Sequence, residues 1–157
     1  MRALRLILTI LALVVPLLGC GSGTEQQPAS DPQPGSVFSG TIQMGDASVG
    51  WVTLWVSEDG AAINLSIDLG SGLRENQAFR QENAGRLFEC LSAFPSLSGG
   101  RFRNLAVTNG RFSGEDTTLG TIWGRFDTPA TASGTLLLLA PTADCGSWPW
   151  SVHSVPN

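Results

Sequence analysis

Tryptophan is the residue type whose spacing in this chain points most directly to a binding surface. The 157 residues include five tryptophans and no tyrosine. Trp51 and Trp55 are four residues apart and Trp148 and Trp150 are two apart, so each pair would share one face of a strand. Exposed rings at such spacing can stack on sugar rings or dock an apolar partner. The alternative is a place in the core, since tryptophan is highly buried on average.

Groups suited to catalysis are sparse. His153 is the only histidine, it lies close to the carboxyl terminus, and no Gly-x-Ser-x-Gly elbow is present. Glycosidases need two facing carboxylates, and the candidates are Asp68, Glu75, Glu82 and Glu89. The acidic pairs Glu58–Asp59 and Glu115–Asp116 could hold calcium, but they lack an EF-hand spacing and are typical of turns. The sequence therefore favours a non-enzymatic protein with no cofactor and no metal site.

The elements that would position these residues are β-strands. In Trp51–Val56 the odd-numbered and even-numbered residues take opposite faces, so Trp51 and Trp55 point outward if Val52 and its partners point inward. Asp59–Gly60 and Asn109–Gly110 are typical of hairpin turns, and the latter suits type I′. The strands are expected at 37–44, 51–56, 63–69, 102–108, 111–113, 119–126, 132–140 and 147–155.

Three further patterns refine this expectation. The stretch at 136–139 is apolar without alternation, which indicates a central strand covered on both sides. Pro149 cannot donate to a strand ladder, which favours an edge position for the last strand. Gly-Arg-Phe recurs at 100–102, 110–112 and 124–126, which we interpret as a turn glycine, a solvent-facing arginine and a core phenylalanine.

Residues 70–98 are the least regular part, where a short helix at 73–79 and an edge strand at 87–94 are the interpretations that fit. Taken together, the patterns predict an all-β domain with mostly meander order. We expect a single antiparallel β-sandwich or flattened β-barrel of roughly seven to nine strands.

The amino terminus has the three parts of an export signal. Arg2 and Arg5 precede an apolar run at 6–18, and Gly19 offers a small residue at a cleavage edge. An uncleaved transmembrane helix is the alternative, but it would need about 20 apolar residues and no Pro16. Leu17-Leu18-Gly19-Cys20 resembles the lipobox of bacterial lipoproteins. That resemblance implies cleavage before Cys20, diacylglycerol and palmitate-type acyl chains on it, and an extracytoplasmic protein anchored to the cell membrane or the outer membrane.

These features divide the chain into three parts. Residues 1–19 are expected to be a signal peptide, 20–36 a flexible tether rich in Gly, Pro, Ser and Gln, and 37–157 one β domain. After cleavage, seven arginines stand against thirteen acidic residues, and lysine is absent, so the formal charge is −6. An acidic domain of this kind argues against nucleic acid as a partner.

Two cysteines remain once Cys20 is assigned to lipid. Cys90 and Cys145 form an even pair in an oxidising compartment, for which a disulfide is the default interpretation. It would close a loop of roughly 55 residues. By chain entropy, such a loop contributes about 4 kcal/mol of stability.

Several short segments carry a second resemblance. They are residues 56–63, 109–113, 122–126, 132–136 and the Cys145-Gly-Ser-Trp segment. Their succession resembles a β-rich module of bacterial secreted proteins and lipoproteins, over roughly residues 50–155. The resemblance implies an antiparallel β domain with a Cys90–Cys145 bond, and it implies no activity.

The sequence therefore predicts a membrane-anchored binding or structural module of the cell envelope. Its partner would be a glycan or another envelope protein, besides the membrane that receives the lipid on Cys20. The alternative function is a hydrolase or an accessory domain of an envelope enzyme. Exposed tryptophans would favour binding, whereas convergent carboxylates or a cleft around His153 would favour the enzyme.

Overall fold

The computed structural model describes residues 28–69, 81, 98–117, 119–139 and 144–156. In this part of the chain, eight strands form a single sheet. The strands are β1 (Val37–Met44), β2 (Ala47–Val56), β3 (Ala62–Asp68), β4 (Ser98–Ala106), β5 (Arg111–Asp116), β6 (Gly120–Thr128), β7 (Thr131–Leu139) and β8 (Asp144–Ser154).

The sheet curls into a nearly closed barrel. Its strand order is β4-β3-β2-β1-β8-β7-β6-β5, and neighbours pair antiparallel throughout. Each pairing joins two strands that are consecutive in the chain, except the pairing of β1 with β8. The two edge strands, β4 and β5, are also consecutive in the chain but lie at opposite ends of this order. The predicted all-β, mostly meander fold is therefore confirmed, with the barrel as its form.

A tight turn joins the two edge strands at one end of the barrel. The N–H groups of Thr108 and Arg111 each donate to the other residue's carbonyl, at 2.9 and 3.0 Å. Between them, Asn109 and Gly110 have φ values of 51° and 67°. Two consecutive positive φ values are the type I′ geometry that the Asn-Gly dipeptide predicts.

Beyond that turn, side chains rather than a hydrogen-bond ladder close the seam between β4 and β5. A methyl group added at Gly114 would come within 2.4 Å of the Leu105 side chain. One added at Gly100 would come within 2.7 Å of Leu119. Each glycine thus leaves the space that a partly buried leucine fills across the seam.

The barrel interior is filled by the inward faces of all the strands. Phe38, Phe112 and Phe126 form a chain of ring contacts, with centroids 5.5 and 5.7 Å apart. The three Gly-Arg-Phe phenylalanines are buried as predicted, and Arg101 and Arg111 face solvent. The prediction for their glycines is wrong at two of the three positions, because only Gly110 closes a turn.

The last strand is not an edge strand, which corrects the expectation drawn from Pro149. β8 lies between β1 and β7. Its pairing with β1 runs from Ser154 to Trp150 and ends one residue before Pro149. The proline therefore has no β1 residue opposite it, and the strand accommodates a residue without an N–H donor at this point.

The predicted central strand at 136–139 belongs to β7, which pairs with β6 and β8. Leu136 and Leu138 are buried in the barrel, whereas Leu137 is half-buried on the outer face. The central position is thus confirmed, and the expected cover on both sides is incomplete at Leu137. The expected helix at 73–79 and edge strand at 87–94 lie outside the described residues.

The amino-terminal segment at 28–36 lies across one end of the barrel. Ser30 donates its N–H to the Phe126 carbonyl at 2.8 Å, and Gly35 donates to the Ser57 carbonyl at 3.1 Å. Pro32 between them is buried. Residues 28–36 are therefore part of the domain and not of the flexible tether to which composition assigned them. Residues 20–27 lie outside the described part.

Candidate functional site

The outer surface of β2 exposes two large aromatic rings. Trp51 and Trp55 are 42% and 41% solvent-exposed, while Val52, Leu54 and Val56 between and beyond them are buried. The alternation predicted for this strand places both rings on one side of the sheet. Four residues of extended strand separate them by about 13 Å.

The other tryptophan pair belongs to the core, so the suggestion that Trp148 and Trp150 form a ligand surface is not supported. Both side chains are 2% exposed. Trp148 donates from Nε1 to the Cys145 carbonyl at 2.6 Å. Trp150 stacks on Phe112 with ring centroids 5.9 Å apart. Their even-numbered positions on β8 point into the barrel, where large rings fill the interior.

Polar residues surround the two exposed rings in a regular pattern set by strand register. Three rows run across β1, β2 and β3: Thr41–Trp51–Asp68, Ser39–Thr53–Ser66 and Val37–Trp55–Asn64. Ser66 in turn lies opposite Arg101 on β4. Residues opposite one another in a sheet have side chains about 5 Å apart. Each ring therefore has hydrogen-bonding groups beside it on the same face.

A β-bulge in β4 completes this surface. Leu65 pairs with Phe102 and Ile63 pairs with Leu105, so three steps along β4 match two along β3. The extra residue allows Arg103 and Asn104 both to be exposed. Bulges of this kind commonly change the direction of a side chain at a functional surface.

The bulge depends on a left-handed backbone conformation at Asn104. Its φ is 52°, in the left-handed region that glycine and asparagine adopt more readily than other residues. Its N–H donates to Oδ1 of Asn64 at 3.0 Å. Asn64 lies opposite Trp55. The same side chain therefore braces the bulge and borders the exposed ring.

A shallow cavity of about 420 Å³ lies beside Trp55. It is lined by Trp55, Asn64, Leu65, Arg101, Phe102 and Arg103. We call the surface formed by Trp51, Trp55, Asn64, Arg101 and Arg103 the tryptophan face. It combines two flat rings, one amide and two guanidinium groups, which together can stack on, and hydrogen-bond to, a hydroxyl-rich ligand.

The charges on this face are predominantly positive. Within the described part of the chain, Arg101 and Arg103 make no ion pair, whereas Arg125 on β6 binds Asp127 at 2.8 Å. Asp68 lies at the end of the face opposite Trp51, and this residue has an interaction partner of its own. The two β4 guanidinium groups are thus available to solvent or to a ligand.

A third exposed tryptophan was not singled out by the sequence. Trp123 on β6 is 42% exposed and borders a second shallow cavity of about 520 Å³, together with Arg111 and Ser113. Its outward direction follows from the Gly-Arg-Phe pattern: if Phe126 points inward, Ile122 does so too and Trp123 does not. This ring stands alone, without a second tryptophan on its strand.

The sequence-derived catalytic candidates do not come together in the described residues. His153 is exposed on the outer face of β8 between Ser39 and Thr131, and β8 is not the edge strand expected there. Asp68 lies at the end of β3. Glu75, Glu82 and Glu89 lie outside the described residues.

Of the two acidic pairs considered for calcium, Glu58–Asp59 lies in a turn as expected, whereas Glu115–Asp116 ends strand β5. The Ser57 hydroxyl and the Ala61 N–H donate to the Asp59 carboxylate and hold the pKa of Asp59 below its ordinary value of 3.8. Asp116 accepts the Leu119 N–H at 2.9 Å from the turn that follows β5. In the ranges that the structure describes, no group of three His, Cys, Asp or Glu side chains is placed to hold a metal ion.

Of the three cysteines, Cys145 alone is described, at the start of β8 and buried. Cys20 and Cys90 lie outside the described residues. Among the described elements, none is a helix long and apolar enough to cross a membrane.

Comparison with known proteins adds no further indication of the site's role. No protein-family model matches this chain, and no curated protein matches it in sequence.

Proposed function

We propose that this chain is a lipid-anchored binding module of the bacterial cell envelope that holds a polysaccharide against its tryptophan face. The observation that carries the proposal is the exposure of Trp51 and Trp55 on one side of β2. An exposed tryptophan ring does not contribute the hydrophobic free energy that it would gain on burial. Stacking on the apolar face of a sugar ring removes that apolar surface from water.

The neighbours of the two rings favour a glycan over an apolar protein surface. Thr53, Ser66 and Asn64 provide hydroxyl and amide groups beside the rings. Sugar ligands present hydroxyl groups around each ring, and these need such partners once water is excluded. An apolar protein partner would instead leave the polar groups of the face without hydrogen bonds, at a cost of about 1–3 kcal/mol each.

The proposed cellular location of the protein rests on its amino-terminal sequence. The resemblance of Leu17-Leu18-Gly19-Cys20 to a lipobox supports removal of residues 1–19 and lipidation of Cys20. More than one acyl chain then gives stable membrane attachment. We infer an extracytoplasmic location, and with it a Cys90–Cys145 disulfide, because thiols pair in an oxidising compartment.

A retention experiment tests the binding function. The full-length protein in detergent is passed over a panel of insoluble envelope and plant polysaccharides, in parallel with Trp51→Ala, Trp55→Ala and Trp123→Ala. We expect at least one polysaccharide to retain the wild type and the Trp123→Ala control. Loss of either β2 ring should weaken that retention by about 2 kcal/mol, roughly thirtyfold, as for other aromatic hot spots.

The control has the same residue type and the same exposure as its β2 counterparts, so it reports on non-specific adhesion of exposed tryptophan. Equal retention of the wild type and both β2 variants would refute the proposed site. Retention by no polysaccharide of the panel, together with a stable complex with a purified envelope protein, would replace the glycan with a protein partner.

A further inference from the structure

We propose that the tryptophan face selects polysaccharides that carry negative charge, through Arg101 and Arg103. This inference rests on the proposed function, because it names the class of glycan that the same face would bind. It also adds something that exposed rings alone do not provide, since stacking on a sugar does not distinguish an acidic sugar from a neutral one.

The two arginines share one strand and one side of the sheet. Arg101 and Arg103 are both exposed and line the cavity beside Trp55. Two residues of extended strand place their Cα atoms about 7 Å apart. A guanidinium group binds a carboxylate or a phosphate through two parallel hydrogen bonds. The pair could therefore bind two anionic groups along one polymer chain.

The bulge in β4 is what keeps this arrangement compatible with the barrel core. Strict alternation from Phe102, which is buried, would put Asn104 inside and Leu105 outside. The extra residue reverses this, so Leu105 reaches the core while Arg103 and Asn104 stay outside. The arrangement retains a left-handed residue at Asn104. β-Bulges are over-represented beside binding and catalytic sites.

The charge distribution makes the face an exception on an acidic protein. The mature chain carries a formal charge of −6. Yet Arg101 and Arg103 have no ion-pair partner among the described residues, and their two charges outweigh that of Asp68 at the end of the face. A locally positive, aromatic surface is complementary to an anionic polymer.

Nucleic acid is the other anionic polymer that stacks on aromatic rings. Its closely spaced phosphates generally require a strongly basic surface, which a domain of this net charge does not provide. The balance of charges therefore favours a polysaccharide with carboxylate or phosphate groups spaced along it.

Binding isotherms of the full-length protein in detergent, at low ionic strength, test this inference. The ligands are polygalacturonate, the same polymer with its carboxyl groups reduced to alcohols, poly(glycerol phosphate) and single-stranded DNA. The variants are the double substitution Arg101→Gln/Arg103→Gln, Trp55→Ala, and a control on β5, Arg111→Gln, which removes one positive charge away from the tryptophan face.

We expect polygalacturonate or poly(glycerol phosphate) to bind the wild type at least about tenfold more tightly than the carboxyl-reduced polymer does, as charge-assisted hydrogen bonds allow. The double variant should lose this preference and bind the charged and the reduced polymers with equal affinity. Arg111→Gln should keep the preference, and Trp55→Ala should weaken binding to charged and reduced polymers alike. The preferred anion distinguishes a carboxylate from a phosphate source.

Equal affinity for charged and reduced polymers would overturn the acid preference while leaving the proposed glycan function intact. Loss of the preference in Arg111→Gln to the same extent as in the double variant would also overturn it, because net charge alone would then be responsible. Tighter binding of DNA than of every polysaccharide, or binding of no ligand at all, would contradict it as well.

Discussion

The backbone N–H of Asn104 donates to the side-chain oxygen of Asn64 at 3.0 Å, and this contact braces the one left-handed bulge of β4. The bulge lets Arg103 face solvent while Leu105 reaches the core. The hydrogen bond therefore links the register of two strands to the composition of the tryptophan face.

The first prediction concerns this brace. Asn64→Ala removes the acceptor of the Asn104 N–H, so we expect a loss of about 1 kcal/mol in the free energy of unfolding. Asn104→Ala should cost about 1–2 kcal/mol, because alanine tolerates a positive φ poorly, whereas Asn104→Gly should cost nothing. Urea denaturation measures all three. Asn104→Ala and Asn104→Gly of equal stability would show that the left-handed backbone is not retained in solution.

The second prediction compares the two buried tryptophans of β8. Trp148 donates to the Cys145 carbonyl, whereas Nε1 of Trp150 is buried and has no partner. Replacement by phenylalanine removes the same volume from each site. Trp148→Phe should lose about 1–3 kcal/mol more than Trp150→Phe, since it alone gives up a hydrogen bond and the other removes an unsatisfied donor.

Guanidinium denaturation measures the free energy of unfolding of both variants, and the comparison holds where their m-values are equal. The two variants serve as controls for each other, because burial and strand are shared. An equal loss of unfolding free energy in the two variants, or a larger loss in Trp150→Phe, would contradict the difference in hydrogen bonding between the two indole N–H groups.

The third prediction concerns the glycine that admits Trp150 to the core. A methyl group at Gly134 would come within 2.1 Å of the Trp123 carbonyl and 2.5 Å of the Trp150 ring. Because the first contact is with backbone, Gly134→Ala should destabilise the barrel by about 3 kcal/mol or more.

Gly45→Ala is the matched control for this substitution. Gly45 has a φ of +60° and nothing within 4 Å of an added methyl group, so only backbone strain of about 1–2 kcal/mol is expected. Thermal unfolding of the two variants separates the cost of the steric clash in Gly134→Ala from the cost of backbone strain in Gly45→Ala. A Gly134→Ala protein as stable as Gly45→Ala would contradict the close approach of β6 and β7.

The fourth prediction concerns acid stability. The Ser57 hydroxyl and the Ala61 N–H lower the pKa of Asp59, whose ordinary value is 3.8. A carboxyl group with a lowered folded-state pKa stabilises the fold above its unfolded pKa, and that contribution disappears as the pH falls through the lower folded value. Stability measured against pH should therefore fall below pH 3.8 less steeply in Asp59→Asn and in Ser57→Ala than in the wild type. Unchanged slopes would show that this turn does not contribute.

Much of the fold could be predicted because local alternation survives in the sequence. The run at 37–44 coincides with β1, and Trp51–Val56 has the predicted faces because a half-buried strand must alternate. Asn109–Gly110 has the predicted turn geometry because these residue types adopt positive φ readily.

Long-range pairing could not be predicted in the same way. The position of β8 beside β1 depends on closure of the whole barrel, so a local rule about Pro149 gave an edge strand where the barrel has an inner one. The same closure decides that Trp148 and Trp150 are core. The bulge at Asn104 was also missed, because only the register between β3 and β4 reveals the extra residue. Residues 28–36 have the composition of a linker, yet Pro32 is buried.

The most direct test of polysaccharide binding by Trp51 and Trp55 is the indole N–H spectrum of the ¹⁵N-labelled protein, recorded during titration with the polysaccharide that retains it. Five indole signals are expected, one for each tryptophan, and single substitutions assign them. We expect the signals of Trp51 and Trp55 to shift with ligand, while those of Trp123, Trp148 and Trp150 stay in place. Shifts confined to Trp123, or a bound ligand that moves neither β2 signal, would contradict binding at these two rings.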